Sequence, residues 1–214
     1  MEKIIDLNTW PRKGQYDLFK NMDIPHFNLC ANVDITLLRK YVKDQNINFY
    51  VSMVYIASHV ANNMKSFRLR MRGDQVIEHD MIHPSFTIMT QDETFSFCSV
   101  NHNMSFKTFY DQAEKQKEKL MGNVFVEDEL GRSDYIFMTS IPWISFTSMS
   151  HPMSLDVEDC VPRFAWGKYF KDHEKILMPF SVQVHHAMMD GYHVGMFYEK
   201  LQEALNQPGD VLNT

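Results

Sequence analysis

Apolar residues recur at helical spacing in several stretches of this chain and at every second position in a number of shorter ones. Leu37, Leu38, Tyr41 and Val42 share one face of a helix that Asp34 can cap, and Phe49 to Met64 is apolar at the same spacing. Ser105 to Leu120 reads as a third helix, with Phe106, Phe109, Tyr110 and Ala113 inward and a Lys/Glu-rich end outward. Leu69–Arg72 and Gln75–Glu78 flank Gly73-Asp74 as a hairpin, and Ser85 to Thr90 with Thr94 to Val100 form a second pair. Tyr135 to Thr139, Ile144 to Thr147, Arg163 to Phe170 and Ile176 to His185 follow as strands, with Glu127 to Ser133 as a loop. Helices and strands mixed without strict alternation predict an α/β fold: a two-layer sandwich, with helices packed on a mixed β-sheet. No Pro/Gly/Ser-rich linker and no repeat interrupts the pattern, so residues 1–214 are expected to form a single domain.

Composition narrows the partners. A chain of 214 residues that is 44% hydrophobic can build one substantial core. Its net charge of −6 comes from interspersed charges, with no basic block to hold phosphates, which argues against nucleic acid or an anionic membrane and for a small-molecule ligand. No run of about 18 apolar residues is present, so a soluble, cytoplasmic protein is expected. Cys30, Cys98 and Cys160 are odd in number and widely spaced, which fits free thiols better than a disulfide framework or a metal knot.

The chemistry concentrates in residues 182–193, Val-Gln-Val-His-His-Ala-Met-Met-Asp-Gly-Tyr-His. Ile176, Met178, Phe180, Val182, Val184 and His186 alternate onto one face, so His186 prolongs an apolar face where its strand ends. A histidine kept neutral by burial has a free nitrogen, as a general base requires. Asp190 then adjoins the start of an amphipathic helix marked by Val194, Phe197, Leu201 and Leu205, where His193 reads as a capping or surface residue. A metal site using His185, His186, Asp190 and His193 is disfavoured, because adjacent strand residues point to opposite faces. No Gly-x-Ser-x-Gly nucleophile elbow occurs, so nothing calls for a covalent intermediate.

His185 to Val194 closely resembles the signature of the chloramphenicol acetyltransferases, and further matches occur in the same order. They are Trp10-Pro11-Arg12-Lys13, Val33–Thr36, Phe49-Tyr50, Glu93–Ser96, Pro142–Ser148 and Gly167-Lys168-Tyr169, spanning about residues 7 to 205. The resemblance implies a homotrimer with active sites at subunit interfaces, acetyl-CoA as co-substrate, no metal, and a link to antibiotic resistance. It implies that His186 takes the acceptor hydroxyl proton, and that Asp190 pairs with Arg12 to hold the active-site turn. It also implies that Thr139 supplies the oxyanion donor where the family has serine. Tyr50, Trp143 and Tyr169 match positions that lie along CoA. Phe19, Phe27, His151 and Arg163 match the acceptor pocket.

Four pocket positions depart from the family pattern. Phe19 replaces a tyrosine, Arg163 and His151 replace apolar or aliphatic residues, and Ala165 replaces a threonine. Arg163 and His151 together favour a more polar or anionic acceptor than chloramphenicol, provided both point inward. Two other readings are a dihydrolipoyl-type acyltransferase core, which shares the fold and the His-x-x-x-Asp-Gly motif, and a non-catalytic ligand-binding member. The former normally brings a lipoyl domain and linker, for which this sequence has no match.

Overall fold

A computed structural model describes residues 2–102, 105–121, 125–129, 131–153 and 159–213. In chain order its elements are β1 (Glu2–Ile4), α1 (Lys13–Phe19), β2 (His26–Asp34), α2 (Thr36–Asp44), α3 (Phe49–Asn62), β3 (Leu69–Arg72), β4 (Gln75–His79) and β5 (His83–Met89). They continue with β6 (Phe95–Ser99), α4 (Phe106–Leu120), β7 (Tyr135–Ile141), β8 (Arg163–Gly167), β9 (Phe170–Asp172), β10 (Lys175–His185), α5 (Gly191–Asn206) and α6 (Pro208–Leu212).

The large sheet runs β2-β10-β8-β7-β5-β6, with β9 pairing the start of β10, and it is mixed: β5–β7 and β7–β8 are parallel, the other pairs antiparallel. Helices cover one face. Phe164, Trp166, Phe180, Val182 and Val184 turn from the sheet into the main core, where they meet Val54, Ile56, Phe109 and the inner face of α5. This is the expected two-layer α/β sandwich on a mixed sheet. Val194, Phe197, Leu201 and Leu205 of α5 are all fully buried, each worth about 1.5–3 kcal/mol, which pins the helix that follows the histidine motif.

A second, smaller core is separate from the first. β1, β4 and β3 form a three-stranded sheet, and Ile5, Tyr16, Leu69, Met71 and Val76 pack there with Cys160, Ala187 and Met188. Ala187 and Met188 of the histidine motif therefore anchor its turn in this smaller core, while Met189 packs into the main one.

The Gly73-Asp74 hairpin and the β5–β6 pair form as expected, with Gly73 at φ +55, a left-handed conformation glycine adopts at no steric cost. Asp34 lies one residue ahead of Ile35, the N-cap of α2, and its carboxylate accepts from the Thr36 backbone N–H at 3.0 Å. Two strand expectations need correction. Ile144 to Thr147 alternates but is no strand: the β7–β8 ladder ends at Ile141 and Gly167, and beyond it the Lys168 N–H reaches the Ile144 carbonyl at 2.8 Å while the Ser145 hydroxyl donates to the Lys168 carbonyl. Arg163 to Phe170 breaks at Lys168-Tyr169 into β8 and β9. Within Glu127 to Ser133, residue 130 lies outside the described residues and the rest forms no helix or strand.

Candidate active site

His186 follows directly on β10. Its backbone N–H donates to the Pro25 carbonyl at 2.8 Å, extending the β2–β10 ladder by one bond, and the chain then turns, with Met188 N–H reaching the His185 carbonyl at 3.0 Å. The ring keeps the side of Val184 and of Phe27, its partner across the ladder. There it is stacked flat on Phe19, the last residue of α1, with ring centres 3.9 Å apart and planes within 2°, and it meets Phe27 at 4.7 Å. Both expected acceptor-pocket phenylalanines thus touch the expected base, in the same chain. His186 Nδ1 is buried without a hydrogen-bond partner among the described residues.

The fully buried imidazole is the neighbour. His185 is 1% exposed, against the sequence expectation that His186 would be the buried one. Burial, with His26 and His186 alongside, pushes His185 down to about 3. Its Nδ1 accepts the Ala187 N–H at 3.1 Å and helps shape the turn. His186 is half-buried, and its position rests on the two phenylalanine rings.

Arg12 and Asp190 come together as expected. Arg12 Nη1 lies 2.6 Å from Asp190 Oδ2, and Nη2 donates to the His186 carbonyl at 3.2 Å, so one guanidinium ties down both ends of the turn. Asp190 is also the N-cap of α5, accepting from Tyr192 N–H at 3.1 Å, and His193 Nδ1 completes the capping box by accepting the Asp190 backbone N–H at 3.2 Å, while also lying 2.8 Å from the carboxylate. Burial alone would raise the Asp190 carboxyl, but hydrogen bonds from Arg12 and His193 outweigh it and hold it at about 2. Asp190 at neutral pH is a permanently ionised brace.

Thr139 lies on the opposite side of the sheet from the helices. It pairs with Ala165 on β8, which pairs in turn with Ser181 on β10. His186 is five residues beyond Ser181, so strand spacings of about 4.8 Å across and 3.3 Å along separate Thr139 and His186 by roughly 19 Å within one chain. A single chain therefore brings His186, Arg12, Asp190, Phe19 and Phe27 together but leaves Thr139 elsewhere.

His151 and Arg163 stand on that same polar side, beside Gln183, whose side-chain oxygen accepts the His151 backbone N–H at 2.8 Å. Arg163 is nearly buried and fully engaged: its guanidinium meets both oxygens of Asp159 at 2.9 and 2.8 Å and donates to the Val161 carbonyl at 2.9 Å. Burial, and the Arg163 charge, push His151 down to about 4. The Arg163 charge is thus compensated by Asp159, so these two positions together carry no net positive charge. Nothing in the sequence marks Asp159 as this partner.

The expected CoA residues separate. Trp143 is 63% exposed and Tyr169 40% exposed, on two segments joined by the bond between Lys168 and Ile144, with the Arg39 guanidinium 4.5 Å over the Tyr169 ring. Tyr50 instead packs against Trp166 and Phe86, and its hydroxyl donates to the Thr87 carbonyl at 2.8 Å. Among the described residues no helix is long and apolar enough to cross a membrane, and no group of three or more His, Cys, Asp or Glu could hold a metal ion.

Residues 2–202 match the family model for chloramphenicol acetyltransferase. Relatives named chloramphenicol acetyltransferase from Clostridium butyricum, Clostridium perfringens and Proteus mirabilis are 36%, 32% and 32% identical, each covering 94% of this chain and 93% of the relative. A solved chloramphenicol acetyltransferase superposes with TM-score 0.83 at 24% identity, covering 96% of this chain and 100% of that one. The dihydrolipoamide acetyltransferase of Azotobacter vinelandii shares the fold at TM-score 0.73 and 16% identity, covering 94% and 88%. The match over nearly the whole chain and the relatives at 32–36% identity show that the chain belongs to the chloramphenicol acetyltransferase family and is an acetyltransferase.

Proposed function

We propose that residues 1–214 act as one cytoplasmic acyltransferase unit that moves an acetyl group from acetyl-CoA to a hydroxyl of chloramphenicol or a more polar, neutral acceptor. The observation that carries this reading is His186, packed against Phe19 and Phe27 on a turn braced by Arg12. His186 Nε2 takes the acceptor hydroxyl proton as the oxygen attacks the thioester carbonyl carbon. The tetrahedral oxyanion is stabilised by the Thr139 hydroxyl. Collapse breaks the carbon–sulfur bond, and the imidazolium returns its proton to the CoA thiolate. No acyl-enzyme forms and no metal takes part. Trp143 and Tyr169 offer exposed rings to CoA, with Tyr50 shaping the wall behind them.

The roughly 19 Å between Thr139 and His186 within one chain supports a homotrimer in which each site takes His186 from one subunit and Thr139 from the next. Complementation tests this. His186→Ala and Thr139→Ala subunits, each impaired alone, are unfolded, mixed and refolded together. Sites formed between subunits return up to about a quarter of wild-type activity by random assembly; sites confined to single chains return none above the separate variants.

A further inference from the structure

Thr139 carries a single hydroxyl hydrogen, and its use depends on what lies beside it. β7 runs between β8 and β5, so Thr139 has one neighbour on each flank. On β8 that neighbour is Ala165, whose side chain has no hydrogen-bonding group. On β5 it is Thr87, the residue after the Phe86–Met138 pair, and its Oγ1 lies 2.8 Å from Thr139 Oγ1. The two hydroxyls share one hydrogen bond, and its direction decides whether Thr139 can serve an oxyanion. If Thr139 donates, its hydrogen is spent on Thr87. If Thr87 donates, Thr139 keeps its hydrogen, and a hydroxyl that accepts a bond is polarised into a better donor.

We propose that Thr87 is a positioning residue for acetyl transfer: it donates its hydroxyl hydrogen to Thr139 Oγ1 and leaves the Thr139 hydrogen aimed at the developing oxyanion. This rests on the reading of Thr139 as the oxyanion donor. The transition state itself selects this direction, because a hydrogen bond to a charged oxygen is roughly twice as strong as one to a neutral hydroxyl. Thr87 is fixed for the task at both levels. Its branched Cβ restricts χ1, and its carbonyl accepts the Tyr50 hydroxyl at 2.8 Å. Tyr50, placed by resemblance along CoA, thereby gains a second duty as the brace behind Thr87. With Ala165 silent, Thr87 carries alone an orienting role that two flanking hydroxyls could otherwise divide.

The test is a kinetic comparison of Thr87→Val, which keeps the shape and loses the hydroxyl, with Thr87→Ser, Thr139→Ala and the double variant Thr87→Val/Thr139→Ala. Free-thiol release from acetyl-CoA is followed with chloramphenicol as the probe acceptor, and by acceptor-free hydrolysis, which passes through the same oxyanion. Thr87→Val is expected to lower kcat about tenfold with both KM values within about twofold, Thr87→Ser to restore it, and the double variant to match Thr139→Ala. Should Thr87→Val melt early, Thr87→Ala reads the same loss. Wild-type kcat in Thr87→Val beside a roughly hundredfold loss in Thr139→Ala overturns the role of Thr87 while Thr139 stands. So does a Thr87→Val loss that persists undiminished in the Thr139→Ala background. Full activity in Thr139→Ala itself removes the oxyanion reading and this proposal with it.

Discussion

Replacing Arg12 with Met removes two contacts at once. The bond to Asp190, 2.6 Å between charged groups, is of the class worth about 1.5–3 kcal/mol, and the longer one to the His186 carbonyl, 3.2 Å, adds about 1 kcal/mol. Asp190 keeps Tyr192 N–H and His193, so it is not left bare, and the loss should be on the order of 3 kcal/mol. For a chain of this length that lowers Tm by roughly 6–12 °C. The sign with pH follows from Asp190. Its carboxyl is held at about 2, below the unfolded value near 3.8, so its ion pair stabilises the fold above pH ~4 and is lost as pH falls toward 2. The stability gap between wild type and Arg12→Met therefore closes across that acid range. Because the same guanidinium holds the His186 carbonyl, kcat should also fall about 10- to 100-fold through misplacement of the base. Thermal melts and thiol-release kinetics of Arg12→Met, Asp190→Asn and the double variant decide the matter. A coupling energy of at least about 1 kcal/mol is expected; strictly additive costs, or an unchanged kcat in Arg12→Met, would refute the brace.

Other consequences follow from the buried groups and from the exposed ring. His79, His102, His151 and His185 are pushed by burial to about 4, 3, 4 and 3, so each stays neutral in the fold while the unfolded chain protonates near 6.5. Stability is then whole above pH ~6.5 and falls below it by about 1.4 kcal/mol per pH unit for each histidine, giving an acid transition with uptake of several protons, measurable by denaturant melts from pH 7 to 4. A pH-independent stability across that range would contradict it. Arg163→Met strands the Asp159 carboxylate and should cost about 3–5 kcal/mol, whereas Arg163→Met with Asp159→Leu should recover much of it in the same melts. Trp143→Ala removes an exposed ring, so KM for acetyl-CoA should rise about tenfold while Tm stays within about 1 °C.

The parts of the fold that obey simple periodicity were legible in the chain. The buried face of α5, the hairpin at Gly73 and the strand leading to His185 all follow from one residue pattern meeting one partner surface. β2 was not legible, because an edge strand reading His-Phe-Asn-Leu-Cys-Ala-Asn-Val-Asp is half-exposed and carries no clean alternation, although it forms the longest ladder with β10. Ile144 to Thr147 shows the reverse failure, a strand pattern whose partner runs out. At the site, His186, Asp190 and Arg12 were found by motif. The choice of which histidine is buried, the Asp159 partner of Arg163 and the Thr87 neighbour of Thr139 depend on register and loop placement, which no local spacing encodes.

The central claim is that His186 is the general base, and the most direct measurement is thiol release from acetyl-CoA by His186→Ala beside wild type, with chloramphenicol and a panel of neutral hydroxylated acceptors. A fall in kcat of about 10²- to 10⁴-fold is expected, with acetyl-CoA binding intact. Near-wild-type turnover of any accepted substrate by His186→Ala would contradict it.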